Sequence, residues 1–353
     1  MHQVTTRRHV PRRRWRAAAV AAALATIAAL GTLPAGAQGG ATVVLGGLSS
    51  PKGLAATPNG NLLVAQGAFG PPGPVLGVNP ATASTVDLTA PVGLVDVAPG
   101  RGAGWALGTN GRLYRFDPDR PSLRLVANIR AYQAGDPDPF DQEGNPTESN
   151  PYGLAVLGSD ALVVDAANND LLRVTPRGDI TTVARFDVEL VSTDHVPDPS
   201  LPPSLPAEAV PTSVTLGPGG SVLVGELKGF PFRPGSSRVW QVDPGATGAV
   251  CSTTTPDPAC RPYAEHLTAI QDIAYDGAGH LYVYELAADG VFAFEEGFSS
   301  GDFPPAVLLR LAGASRTELA PGELSEPGGV AVAGGTVFAT DGVFSSGRLV
   351  RIS

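Results

Sequence analysis

Gly153-Leu154-Ala155-Val156, Gly158-Ser159-Asp160 and Leu162-Val163-Val164-Asp165 form an apolar strand, a glycine turn and a second apolar strand ending on a carboxylate. Short aliphatic runs joined by such a turn read as a β-hairpin. The phrase recurs along the chain. Gly53-Leu54-Ala55 leads through Pro58-Asn59-Gly60 to Leu62-Leu63-Val64-Ala65-Gln66, and Gly93-Leu94-Val95-Asp96-Val97 leads through Gly100 and Gly104 to Trp105-Ala106-Leu107. Ser213-Val214-Thr215-Leu216 leads to Val222-Leu223-Val224-Gly225-Glu226, and Asp272-Ile273-Ala274-Tyr275 to Leu281-Tyr282-Val283-Tyr284-Glu285. Gly329-Val330-Ala331-Val332 leads to Val337-Phe338-Ala339-Thr340-Asp341. Third strands follow, as in Leu113-Tyr114-Arg115-Phe116, Leu171-Leu172-Arg173-Val174, Val239-Trp240-Gln241-Val242, Leu308-Leu309-Arg310-Leu311 and Leu349-Val350-Arg351-Ile352. A fourth can follow, as in Ile180-Thr181-Thr182-Val183-Ala184.

Six such repeats of short antiparallel strands predict an all-β, six-bladed β-propeller. The last repeat runs out after its third strand. Ala41-Thr42-Val43-Val44-Leu45 at the other end supplies the missing one, which closes the ring and pairs an exposed edge.

The N-terminus reads as an export signal: Arg7, Arg8, Arg12, Arg13, Arg14 and Arg16, an apolar run over 17–33, then Ala35-Gly36-Ala37. Residues 1–37 are expected to be a signal peptide and 38–353 the secreted propeller, with no membrane anchor left after cleavage. Thr6-Arg7-Arg8 hints at twin-arginine export, but His9-Val10-Pro11 fits that motif poorly, and the route stays open. Net charge is −9 for the whole chain and falls to −15 when the six leader arginines are lost. So acidic a surface repels phosphate backbones and sets nucleic acid aside. Cys251 and Cys260 are the only cysteines. In an exported chain they read as a loop disulfide, expected to stiffen a hairpin tip rather than hold the core; a two-thiolate metal clip is the alternative.

Longer, Pro-rich and polar connections lie at 131–150, 187–211, 229–236 and 286–305. All belong to connection classes that share one face of a propeller, so they are expected to crowd the mouth of the central channel there. Second strands end there on Gln66, Asp165, Glu226, Glu285 and Asp341, and first strands begin there near Asn150, Thr212, Gln271 and Asp272. Asn150, Asp165, Glu226, Asp272 and Glu285 are the candidate ligands for a hard cation such as Ca²⁺ or for a small polar molecule. The competing reading is that strand-end carboxylates accept loop amides, as Asp165-Ala166-Ala167-Asn168-Asn169 suggests. Among His195, His266 and His280, only His195 lies in a connection on that face. Neither Gly-x-Ser-x-Gly nor His-Glu-x-x-His occurs, so no catalytic set is assigned.

Several segments outside the repeat carry a resemblance. Ser149-Asn150-Pro151-Tyr152-Gly153-Leu154, Asp165-Ala166-Ala167-Asn168-Asn169, Ala209-Val210-Pro211-Thr212-Ser213-Val214, Gly225-Glu226-Leu227-Lys228-Gly229-Phe230-Pro231-Phe232 and Tyr284-Glu285-Leu286-Ala287-Ala288-Asp289-Gly290 resemble the ScyD/ScyE family of exported, NHL-like propellers. The resemblance implies fold and export but no reaction. The second blade departs from it at Arg101-Gly102-Ala103-Gly104-Trp105, so no site residue is carried to that blade.

The leading expectation is a monomeric binding or interaction module that takes an extracellular protein or a small molecule. A Ca²⁺-dependent lactonase-like or other hydrolase is the alternative, by analogy of fold. The second alternative is a soluble quinoprotein sugar dehydrogenase, an opening phrase of which Leu48-Ser49-Ser50-Pro51-Lys52-Gly53-Leu54 resembles. The His base and Arg cluster expected around its quinone are not evident.

Overall fold

The computed structural model describes residues 40–353, and the leader with its cleavage site lies outside them. Six four-stranded antiparallel units follow one another around a ring. Blade 1 is Leu54–Ala56, Leu62–Val64, Leu76–Asn79 and Ser84–Asp87; blade 2 is Leu94–Ala98, Gly104–Gly108, Arg112–Asp117 and Arg120–Asn128. Blade 3 is Pro151–Leu157, Asp160–Asp165, Asp170–Val174 and Ile180–Phe186; blade 4 is Pro211–Leu216, Val222–Glu226, Ser237–Val242 and Cys260–Leu267. Blade 5 is Ile270–Tyr275, Leu281–Glu285, Val307–Ala312 and Ser315–Leu319. Blade 6 is Val330–Ala333, Thr336–Asp341 and Gly347–Ile352, completed by Ala41–Leu48 from the other end of the chain.

That closure is in register: Ala41 lies opposite Ile352, Thr42 opposite Arg351 and Val43 opposite Val350. Ser353 Oγ donates to the Gly40 carbonyl at 3.0 Å, which ties the two ends beyond the strands. The first strand of each blade neighbours the first strand of the next, so these strands form the inner wall of the ring.

The continuous apolar runs have a simple cause. A central strand is buried on both faces, and its alternate residues serve two different interfaces. Leu162 and Val164 pack toward blade 4 with Val222, Val224 and Trp240. Ala161 and Val163 pack toward blade 2 with Trp105 and Leu107. The other junctions are built alike, Leu63 with Phe116 between blades 1 and 2, and Tyr284 with Val350 between blades 5 and 6.

The long connections fall where the sequence places them, between fourth and first or second and third strands. They contain structure of their own: a short helix Ile129–Gln133, a hairpin of Glu189–Ser192 with Ser204–Ala207, and a helix Val291–Ser300.

One expectation needs correction. The Cys251–Cys260 disulfide is present, but it does more than stiffen a hairpin tip. Ala249–Cys251 leaves blade 4 and pairs in parallel with Ile180–Phe186 as a fifth strand of blade 3. Both cysteines are buried in the core between those two blades. The disulfide therefore anchors a strap between neighbouring blades.

Candidate functional site

The inner wall is shaped by a repeated irregularity. The first strands of blades 2, 3, 4 and 5 each bulge near their start, at Val95, Tyr152, Thr212 and Gln271. A bulge inserts one unpaired residue and re-aims its neighbours. The next residue in each strand is Asp96, Gly153, Ser213 or Asp272. In blades 1 and 6 the level position is Gly53 and Gly329, which accept from Ala65 N and Thr340 N. Lys52 precedes Gly53 and so shares the level of Tyr152, Thr212 and Gln271.

Crowding explains the glycines. A Cβ on Gly53 would lie 2.5 Å from Asp96 Cα, and one on Gly153 would lie 2.9 Å from Ser213 Cα. Asp96 and Asp272 are the two carboxylates at this level, in blades three apart in a ring of six. Their roles match. Asp96 Oδ2 accepts from Leu154 N of the next blade at 2.6 Å, and Asp272 Oδ2 accepts from Val330 N of its next blade at 2.8 Å.

Lys52 is the cation of this mouth. Its side chain is buried, and Nζ donates to the Tyr152 carbonyl at 2.9 Å while lying 3.8 Å from the centre of the Tyr152 ring. The Tyr152 hydroxyl and the Gln271 amide nitrogen are 3.2 Å apart, and Thr212 Oγ1 donates to the Ile270 carbonyl at 2.6 Å.

Burial pushes the Asp96 carboxyl up to about 6, against the opposing pull of Lys52 and the Val97 and Leu154 amides. Burial and then the Asp96 charge push Asp272 up to about 7, again with Lys52 pulling the other way. Both carboxylates retain some accessible surface although protein surrounds them. The mouth thus brings together one lysine and two carboxyls that burial pushes up. It can donate and accept hydrogen bonds with little net charge.

Of the five candidate ligands read from the sequence, Asp272 lies in this mouth, alongside Thr212 and Gln271. Asp165, Glu226 and Glu285 have protein partners elsewhere, and the Asn150 side chain is exposed. Asp165 closes the predicted turn: its Oδ1 accepts from Asn150 N at 2.6 Å and from the Ala167 and Asn168 amides at 3.2 Å. It faces Asp170 across the hairpin, and burial raises both carboxyls, Asp170 further because of the Asp165 charge. Glu226 is fully buried, accepts from Trp240 Nε1 at 2.8 Å and lies 3.0 Å from Lys228 Nζ. Glu189 joins that network through Lys228 and Arg238. Glu285 accepts from Thr268 N at 2.7 Å, and burial pushes it up to about 7. Among the described residues, no three Asp, Glu, His or Cys side chains gather as a metal would require. His195 Nε2 is 2.8 Å from the Pro231 carbonyl, and His280 pairs with Asp276 at the turn opening its strand.

Asp96 and Lys52 were not singled out as site residues. Asp96 belongs to the second blade, the one set apart by its departure from the resemblance, and that blade does contribute. The available signal was the shared spacing: Asp96 and Asp272 each sit at the start of a repeat, in an otherwise apolar strand.

No protein-family model matches the chain, and no curated protein sequence does either. Solved structures do. A Bacteroides thetaiotaomicron protein of unknown function is similar at 10% identity and a TM-score of 0.56, over 90% of this chain and 76% of that one. The PQQ-bound aldose sugar dehydrogenase of Streptomyces coelicolor is similar at 16% identity and a TM-score of 0.51, over 90% of this chain and 99% of that one. A putative glucose dehydrogenase of Thermus thermophilus is similar at 18% identity and a TM-score of 0.51, over 90% of this chain and all 100% of that one. At these identities the likeness establishes the fold: the chain is a six-bladed β-propeller built like these proteins.

Proposed function

We propose that this is an exported binding propeller of the ScyD/ScyE type that holds a small, neutral, hydroxyl-rich molecule at its axial mouth without transforming it. The observation that carries the reading is Lys52, buried at the mouth with Nζ 2.9 Å from the Tyr152 carbonyl and 3.8 Å from the centre of the Tyr152 ring. The chain thus supplies from its own residues the charge that a bound cation would otherwise provide. An ammonium, two carboxyls, a phenol and an amide offer donors and acceptors suited to vicinal hydroxyls. The arginine-rich leader and the disulfide support export. Calorimetric titration of residues 38–353 with neutral monosaccharides tests this. Saturable binding that disappears in Lys52→Met, with the fold intact, supports it; binding unchanged by that substitution contradicts it.

A sugar dehydrogenase is the second reading, favoured by end-to-end coverage of two such structures. The quinone of the Streptomyces enzyme is a tricarboxylate, and a mouth with one ammonium beside two carboxyls does not fit it. Glucose-dependent dye reduction on addition of PQQ would nevertheless establish this reading and displace the first.

A further inference from the structure

Phenylalanine is concentrated on the face that carries the mouth. Phe69, Phe294, Phe298, Phe303 and Phe344 form one cluster: Phe69 lies 4.8 Å from Phe344, Phe298 4.9 Å from Phe344 and 5.0 Å from Phe303, and Phe294 5.0 Å from Phe303. They come from the connections between second and third strands of blades 1, 5 and 6, which follow one another around the ring. Three of the rings face solvent, Phe69 and Phe298 at 50% exposure and Phe344 at 37%.

The cluster is held in place rather than collapsed. Phe69 N donates to Ser50 Oγ at 2.9 Å, and Phe344 N donates to Glu326 Oε2 at 2.8 Å. The helix Val291–Ser300 buries Phe294 and turns Phe298 outward. Packed aromatic rings presented to water by fixed loops are the composition of an interface core.

The helix side of the cluster carries one sign of charge, while Arg348 beyond the Phe344 loop is paired with Asp341. Segment 286–309 contains Asp289, Glu295, Glu296 and Asp302 and no lysine or arginine. All four carboxylates are exposed, and among the described residues none pairs with a cation. The loops bearing Phe69 and Phe344, 67–75 and 342–347, have no charged residue.

From this complementarity we infer that the patch is a docking site for a polypeptide segment of a partner protein that presents apolar side chains flanked by lysine or arginine. The apolar side chains cover Phe69, Phe298 and Phe344, and the cations meet the free carboxylates around the helix. Acidic flanks disfavour a second copy of this chain, whose own patch carries the same sign.

The probe is a synthetic amphipathic peptide of leucine, phenylalanine and lysine, compared with the same peptide carrying glutamate for lysine. Binding of each to residues 38–353 is followed by fluorescence anisotropy. The lysine peptide is expected to bind, and Phe298→Ser with Phe344→Ser to weaken it by at least about tenfold. Glu295→Gln with Glu296→Gln, which leaves the rings untouched, should weaken it less and reduce its salt dependence. Binding that survives the loss of both rings would show general attraction to an acidic protein and overturn the inference. So would equal binding of the glutamate peptide. Concentration-dependent dimerisation abolished by Phe298→Ser would assign the patch to a second copy and overturn it equally.

Discussion

Asp96 and Asp272 occupy the same register position in blades that face each other across the ring, and each accepts the amide of the following blade's inner strand, Leu154 or Val330. One residue type at one position thus serves two ends: it pins adjacent blades together and places a carboxyl beside the axis. Lys52 moderates the repulsion between them. The first consequence is for stability against pH.

Burial raises both carboxyls, to about 6 and about 7, and Glu285 to about 7. In the unfolded chain these groups ionise near their ordinary values. Between roughly pH 4 and pH 7 the folded state therefore holds more protons, and stability falls as pH rises through that window. Thermal or urea unfolding across pH 4–8 should show this decline. Asp272→Asn retains an acceptor for Val330 N and removes a charge, so it should flatten the decline and gain about 1–3 kcal/mol at pH 8. A stability that rises over the same range would contradict the assignment.

The buried network around Glu226 behaves differently. Glu226→Leu leaves Lys228 without its closest partner and should destabilise by about 3–5 kcal/mol, read as a lower urea midpoint. Added Ca²⁺ should leave the midpoint of the unsubstituted protein unchanged, because Glu226 is already committed to Lys228 and Trp240.

Reduction of the disulfide tests the strap between blades 3 and 4. Cys251→Ser with Cys260→Ser should cost about 2–4 kcal/mol. Hydrogen exchange should rise first at the amides of Ala249–Cys251 and of Ile180–Phe186, which pair with each other. Exchange confined to the loop 252–259 would return the disulfide to a local role.

Removal of 38–48 deletes the outer strand of blade 6 and bares the edge at Gly347–Ile352. The truncated protein should lose several degrees of melting temperature and self-associate through that edge, seen by light scattering. An unchanged midpoint would mean that the closing strand contributes little.

The ring was legible in the sequence because its physics is local and repeated. Leu162-Val163-Val164 must be apolar throughout, since alternate residues enter different inter-blade cores, and six copies of that pattern fix six blades. The site was legible only in part. Asp272 stood out at the head of a repeat. Asp96 looked like an interruption within Val95-Asp96-Val97, and its importance depends on which blade lies opposite, a relation between residues far apart in the chain. Lys52 reaches the site through Tyr152, a hundred residues away, so no local pattern announces it. Glu226 and Asp165 are hard to read for the opposite reason: strand-end carboxylates look alike whether they face a ligand or a backbone amide. The role of the cysteines depended on a strand that changes blades, which spacing alone does not reveal.

Diffraction from crystals soaked in a mixture of neutral monosaccharides would show directly what the axial mouth holds. One ordered sugar is expected on the axis, its hydroxyls within hydrogen-bonding distance of Lys52 Nζ and the carboxyls of Asp96 and Asp272. A mouth holding only water, with sugar bound elsewhere or nowhere, would contradict it.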